Sequence, residues 1–336
     1  RFWPVSRKSN PKQFLNITGK GTLLQETLAR IKPGVPGPHI FIVTNAAYRK
    51  AIEQQTARFK IPKANILLEP KGKNTAPAIC WAAAKIHKLN PEAVMAVLPS
   101  DHLILNQNKF QKVLGEAVRL AGNNLLVTIG IVPTRPETGY GYLNTVKAKM
   151  NGQSALRVRQ FTEKPSLSKA KQFIQRSNYY WNGGMFVWKS SVVLQEFKKY
   201  LPEVYRLIGH KTDAAHIAKV WHRLPSISVD YGILEKTKNV AAVPALGIQW
   251  SDLGSWESLA EVLAKDKYGN IFKGDVIPVN CKGTLVWGHK KVIAPVGLEN
   301  MIIIDTPDAL LVCRRDCSQA VREVVSILQK NNRTET

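Results

Sequence analysis

The sequence predicts an α/β protein with a mostly parallel, mixed sheet covered by helices, followed by a small all-β unit and a terminal helix. Three observations carry this. From residue 22 to residue 131, short apolar runs alternate with helical periodicities and no hairpin signal separates them, the pattern of strand–helix–strand units. The run 93–98 holds no charge and stops at Pro99, which reads as a strand buried on both faces and ended by a residue that cannot donate to the ladder. After residue 266, short apolar runs at 276–279, 284–287, 292–294, 301–304 and 309–312 are separated by glycine, asparagine or proline turns. With 336 residues there is chain for two domains, expected at 1–265 and 266–336.

The first half justifies the alternation element by element. Leu23, Leu24, Leu28 and Ile31 give a helix over 22–31. A strand follows at 40–43, then Asn45 as cap of a helix to about 59, then a strand at 66–68. The loop Glu69-Pro70-Lys71-Gly72-Lys73-Asn74-Thr75 opens a helix over 75–89, in which Asn74 or Thr75 caps and Pro77 sits in the first turn at no hydrogen-bonding cost. That puts free N–H groups at the carboxyl end of a strand, where an anion can bind. The strand 93–98 then presents Ser100, Asp101 and His102, the last read as a hydrogen-bonding neighbour. Ligands in open α/β sheets collect beyond the carboxyl ends of strands, so Asp101 stands where chemistry is expected. A helix over 108–121 and a strand over 125–131 complete this half.

The second half is less regular. Glu137-Thr138-Gly139-Tyr140-Gly141-Tyr142 has two glycines where backbone could approach a ligand, but no third glycine and no following helix, so it is not a dinucleotide fingerprint. Val158 to Pro165 ends a strand on Glu163 and Lys164, and Pro165 breaks it there, allowing the anion to meet sugar hydroxyls and the cation a phosphate. The strand 179–188 begins with Asn182, Gly183 and Gly184, and the Asn182 amide, both donor and acceptor, suits a sugar hydroxyl. Helices occupy 190–222, Asp230 reads as the cap of another, a strand runs over 240–243, and Asp252 lies in the turn before a helix at 255–263. The last helix, 319–328, is amphipathic and reads as a dimer or docking surface.

Composition narrows the function classes. Apolar residues make up 44% and charged residues 21%, as in ordinary folded proteins. No apolar run is long enough to cross a bilayer and no signal-peptide pattern opens the chain, so no membrane partner is expected. Cys80, Cys281, Cys313 and Cys317 form no CxxC pair and read as buried thiols, which suits the cytoplasm. The 48 lysines and arginines against 24 acids give a net charge of +24. They are spread along the chain without a long basic run or a basic–aromatic signature, which argues against nucleic acid. A solvated basic surface and attraction of phosphorylated small molecules both remain open.

Taken together, two distant aspartates, several cations and glycine-lined backbone, with no nucleophilic serine and no cysteine–histidine pair, match nucleotidyl transfer. A sugar phosphate is largely dianionic at neutral pH, so its attacking oxygen needs no general base. The reaction requires alignment, charge neutralisation and a stabilised leaving group. Asp101 and Asp252 could share a magnesium ion, which favours one or two carboxylates plus phosphate oxygens. Arg1 and Lys12 flank a rigid, proline-punctuated segment suited to clamping phosphate.

The segments RFWPVSRKSNPKQFL, EPKGKNTAPAI, VLPSDH, ETGYGYL, FTEKP, WNGGMFVW, VDYGILEK and WSDLGSW, in this order, resemble the bacterial mannose-1-phosphate guanylyltransferases, or GDP-mannose pyrophosphorylases, of the monofunctional type. Families making dTDP-glucose or ADP-glucose resemble only the head and EKP segments. The resemblance runs from Arg1 to about Leu328. It implies a Rossmann-like nucleotidyltransferase domain and a C-terminal module like a small left-handed β-helix. The implied reaction joins GTP and α-D-mannose 1-phosphate to give GDP-mannose, a polysaccharide precursor, and pyrophosphate, with Mg²⁺ as cofactor. Carried over by motif, Arg1 and Lys12 would bind the GTP phosphates, and Glu69, Asn74 and Thr75 would lie at the guanine end, with Ser100 and Gly139 also on the nucleotide. Asp101 and Asp252 would hold the metal. Gly141, Glu163, Asn182 and Gly183 would line the mannose pocket, with Lys164 on its phosphate. A homodimer is expected. The family places a strand and a glycine-rich turn directly before the arginine matching Arg1, so both are expected to precede it in the full polypeptide; the isomerase domain of longer relatives is not in this sequence, so one activity is expected. Two further readings stay open on the residues: the same chemistry with another sugar 1-phosphate or base, and a catalytically inactive nucleotide-sugar-binding regulatory subunit.

Overall fold

A computed structural model describes residues 2–335, which form two compact units interleaved in sequence. One unit comprises residues 31–99 and 106–248, the other residues 2–30, 100–105 and 249–335.

In the first unit, Ile42–Asn45 pairs in parallel with Ile66–Glu69, so that the polar ends Asn45 and Glu69 come level. A six-stranded sheet follows the order Val94–Val97, Tyr179–Lys189, Leu126–Ile131, Val240–Ala245, Gln153–Thr162, Tyr142–Met150. The sheet is mixed, as expected, but not mostly parallel: only Leu126–Ile131 and Val240–Ala245 run the same way. The strand–helix alternation that argues for parallel pairing ends at residue 131. Beyond it, Tyr142–Met150 and Gln153–Thr162 form a hairpin. Its turn is Asn151-Gly152, both at positive φ (46° and 79°), the conformation an Asn-Gly pair adopts readily. Tyr179–Lys189 then inserts antiparallel between Val94–Val97 and Leu126–Ile131. Nor is Val94–Val97 buried on both faces; it stands at the end of the sheet order and Ala96 is exposed. Helix Thr75–Leu89 buries an alanine-rich face in a core with Trp188, Trp221 and Phe197, and Trp81 meets Trp221 edge to face at 5.8 Å.

In the second unit, Leu103–Ile104 pairs antiparallel with Trp250–Ser251. The expected small β module is a parallel coil: Ile271 lies beside Leu285 and Leu285 beside Ile302, with further parallel bridges Val276–Ile293, Val279–Val296 and Lys282–Glu299. Leu310–Arg314 closes it antiparallel to Met301–Asp305. Corners at Asn280, Gly283, Gly297 and Asn300 take positive φ, which explains the glycine and asparagine punctuation. The coil shares one core with Phe2, Trp3, Leu23, Leu253 and Trp256. The terminal helix spans Val321–Lys330. All four cysteines are free thiols, but only Cys80 and Cys281 are buried; Cys313 is half-buried and Cys317, in the turn after the last strand, is exposed.

Candidate functional site

Lys12 follows Pro11 in a short 3-10 turn whose Phe14 is buried, so the turn is pinned and the ammonium is held at its rim. Lys12 Nζ donates to Asp101 Oδ2 at 2.9 Å and also to the backbone carbonyl of Asp252. Segments 89 and 240 residues away from Lys12 in sequence thus meet on one cation. The Asp101 side chain keeps 37% of its exposure. Burial pushes its carboxyl up, but the Lys12 charge and hydrogen bonds from Lys12 and its own backbone outweigh burial and hold it below its ordinary range.

Asp252 is presented by an unusual turn. Leu253 is fully buried at φ 48°, a conformation that costs a branched residue energy and persists only where its surroundings impose it. Here the Leu253 N–H donates to Ser251 Oγ at 3.1 Å, and the Gly254 N–H donates to Asp252 Oδ1 at 3.0 Å. His102, expected to be a hydrogen-bonding neighbour, accepts from Trp250 Nε1 at its Nδ1, 3.1 Å away. Burial lowers its pKa to about 4, so the ring is neutral and its proton resides on Nε2. Ser100 is half-buried in the turn before Asp101. Arg1 lies outside the described residues.

The other unit holds the remaining predicted residues in two groups. Glu69 ends the strand Ile66–Glu69; burial raises its carboxyl to about 7, and its Oε1 has no partner among the described residues. Asn74, at φ 65°, accepts from the Thr75 N–H at 2.9 Å, capping the helix as the sequence suggests. Thr75 Oγ1 accepts from the Val229 N–H at 2.9 Å, and Ala76 N–H donates to Ile227 O at 3.1 Å. The loop that opens this helix is therefore stapled to the segment that leads to Asp230.

Glu163 and Lys164 pair at 3.3 Å, with Glu163 mostly covered and Lys164 58% exposed at φ 45°. Burial, then the nearby Asp230 charge, pushes the Glu163 carboxyl up. Gly141 leaves room here: a Cβ would overlap Glu163 Oε2 and press on the Phe161 ring at 3.1 Å. Asn182 takes Thr128 Oγ1 on its oxygen at 3.0 Å and gives its Nδ2 to Asp230 Oδ1 at 2.8 Å. Its amide thus orients a carboxylate, the partner the sequence reading had as a helix cap. Asp230 instead opens a π-helical turn, Asp230–Leu234, and burial pushes its carboxyl up. Gly183 and Gly139 answer to protein neighbours. A Cβ at 183 would meet Ile129 O at 2.8 Å, and Gly139 N–H donates to Glu137 Oε1 at 2.9 Å.

A pair of half-buried carboxyls, Glu163 and Asp230, beside an exposed lysine is suited to sugar hydroxyls and a phosphate. The Lys12–Asp101–Asp252 group is suited to phosphates and a hard cation. Asp230 was legible only as a helix cap, since nothing in VDYGILEK marks which atom its carboxylate meets.

Comparison with known proteins agrees with this chemistry. Residues 1–268 match the nucleotidyl transferase family, and residues 274–328 match the MannoseP isomerase/GMP-like beta-helix domain. The chain is 38% identical over its full length to the alginate biosynthesis protein AlgA of Pseudomonas syringae pv. tomato, covering 71% of that protein. It is 37% identical, again over its full length, to a mannose-1-phosphate guanylyltransferase of Salmonella muenchen, covering 72% of it. A Thermus thermophilus crystal structure described as a mannose-1-phosphate geranyltransferase superposes with a TM-score of 0.88 at 31% identity, covering 97% of this chain and 95% of that one. With a family match over most of its length and full-length relatives of this similarity, the chain belongs to the nucleotidyl transferase family.

Proposed function

We propose that the protein transfers GMP from GTP to α-D-mannose 1-phosphate, releasing pyrophosphate and forming GDP-mannose for polysaccharide synthesis. The observation that carries this reading is the Lys12 ammonium seated between the Asp101 carboxylate and the Asp252 carbonyl. It joins three motif segments on a cation where a triphosphate needs counter-charge.

The sugar phosphate, with its second pKa near ~6, attacks as a dianion without a general base. Lys12 exchanges its carboxylate partner for phosphate oxygens and neutralises charge on the reacting triphosphate. Lys164, exposed and paired with Glu163, takes the phosphate of the sugar. Glu163 and Asp230 accept from sugar hydroxyls, and Asn182 fixes the Asp230 carboxylate in its orientation. Glu69 holds, at a strand end, a buried carboxyl oxygen with no partner among the described residues. Guanine presents neighbouring N–H donors on one edge and adenine does not, so this oxygen favours GTP.

Asp101 and Asp252 fit a magnesium ion. Their donors are carboxylate oxygens, the Asp101 side chain already accepts an ammonium, and no histidine, cysteine or acidic cluster among the described residues suits a softer metal. When bound, magnesium supplies charge neutralisation on the phosphates and the leaving pyrophosphate. Among the described residues no helix is long and apolar enough to cross a membrane. The four free thiols suit the cytoplasm, the proposed location, and a homodimer is the proposed assembly.

The test is pyrophosphate release from GTP, mannose 1-phosphate and Mg²⁺, run against ATP and against glucose 1-phosphate. Asp252→Asn is expected to cut the rate about a hundredfold or more. Full activity in that variant removes Asp252 from the chemistry, and no turnover by the wild type with this substrate pair overturns the reading.

A further inference from the structure

We propose that the parallel β-coil positions Asp252, through a forked ion pair between Arg315 and Glu257, so that the C-terminal module is a foundation of the phosphate-handling group and not only an attachment surface. The inference rests on the reading of Asp252 as a metal-binding residue, and it starts from geometry within one compact unit.

Arg315 follows the last strand of the coil. Its backbone N–H donates to Asn300 O at 2.9 Å and its Nη1 to Gly283 O at 3.0 Å, so it gathers two corners of the coil. Its Nε and Nη2 then each donate to one oxygen of Glu257, both at 2.7 Å. This is the two-pronged arrangement in which arginine gives direction as well as attraction. The pair is shielded, with side-chain exposures of 18% and 31%.

Glu257 lies in the first turn of helix Trp256–Val262, immediately after the Asp252 turn. That helix start is tied back to the turn. Ser255 Oγ accepts from the Ser258 N–H at 3.1 Å, and Ser251 Oγ donates to Ser258 O at 3.4 Å. Trp256 fixes the other side. It is 1% exposed, its Nε1 donates to Trp3 O at 2.9 Å, and its ring meets Phe2 at 4.8 Å and the coil residue Trp287 at 5.7 Å, both edge to face. A continuous set of contacts therefore runs from the coil corners through Arg315, Glu257 and Ser258 to Ser251 and the Asp252 carbonyl that accepts from Lys12. The strained φ at Leu253 needs such external support to persist.

Arg315 is on this account a positioning residue, and its loss should loosen the Asp252 turn without touching the sugar site. In metal-free Arg315→Met, amide exchange over residues 249–256 is expected to quicken about tenfold while that over 179–189 stays unchanged. The Mg²⁺ concentration for half-maximal rate is expected to rise about tenfold, with the KM for mannose 1-phosphate within about twofold of wild type. Arg315→Lys keeps the charge but not the fork and should recover less than half of the change. Glu257→Gln, which preserves shape, serves as the second variant if Arg315→Met does not fold. Unchanged exchange over 249–256 in the folded variant overturns the proposal, as does a lowered Tm with the Mg²⁺ requirement unmoved. If the wild type fails to turn over GTP and mannose 1-phosphate, the functional reading falls, while the exchange measurement still decides whether the coil holds this turn.

Discussion

Lys12 Nζ lies 2.9 Å from Asp101 Oδ2 and at the same time donates to the carbonyl of Asp252. The ammonium does two jobs there. It counters the burial that pushes the Asp101 carboxyl up, and on the proposed function it supplies positive charge to the phosphates. Removing it separates those roles. In Lys12→Met, burial acts on Asp101 with its main opponent gone, so the Asp101 pKa rises, measurable by carboxyl carbon NMR titration. Turnover should fall about a hundredfold in the same variant. An unmoved Asp101 titration would mean that the pair contributes nothing to its ionisation.

Glu69 predicts a pH dependence of opposite sign to the usual carboxylate. Burial raises its folded pKa to about 7 from an ordinary value of 4.5. Between those pH values the native chain holds a proton that the unfolded chain has released. Stability therefore falls as pH rises through the window, by up to about 3 kcal/mol at its upper end. Glu69→Gln should flatten that slope in denaturant titrations run from pH 4.5 to 7.5. A slope identical in both proteins would show that Glu69 is not the group responsible. Guanine N–H donors favour the ionised carboxyl, so the KM for GTP should drop across the same window.

Asn182 was expected on a sugar hydroxyl, yet both ends of its amide are engaged by Thr128 and Asp230. Asn182→Ala leaves a mostly buried carboxylate without its side-chain donor. The expected cost is about 1–3 kcal/mol in stability, together with an increased KM for mannose 1-phosphate and little change in that for GTP. Wild-type KM values in this variant would show that Asp230 needs no such support.

Gly141 gives a sharper steric test. Alanine there must displace Glu163 Oε2 or the Phe161 ring. We expect Gly141→Ala to fold and to raise the KM for mannose 1-phosphate about tenfold, since small displacements of positioning groups carry penalties of that order or more. Normal sugar affinity would mean that Glu163 is not in the sugar's contact set.

What the residues disclosed, and what they withheld, follows from the range of the interactions involved. Helix caps at Asn74 and Ser255, the proline-ended strand before Asp101 and the glycine- and asparagine-cornered coil are local, and they are readable from a few neighbouring residues. The convergence of Lys12, Asp101 and Asp252 was legible only because each sits in a turn of recognisable chemistry; which atoms meet was not. The direction of Tyr179–Lys189 depends on the partners it finds across the sheet, and the alternation, which stops at residue 131, does not reach it. Its neighbour hairpin could have been found from Asn151-Gly152 between alternating strands. The fork between Arg315 and Glu257 links positions 58 residues apart, and no pattern in either segment announces it.

The unit holding Lys12 is assembled from residues 2–30, a six-residue insert at 100–105 and the stretch 249–335, and Trp3 Nε1 donates to Glu335 O at 2.8 Å. During synthesis the first segment must wait, without its native neighbours, while more than two hundred intervening residues emerge and settle into their own core. Sequence separation of this size delays closure and leaves Phe2 and Trp3 open to chaperones in the interval.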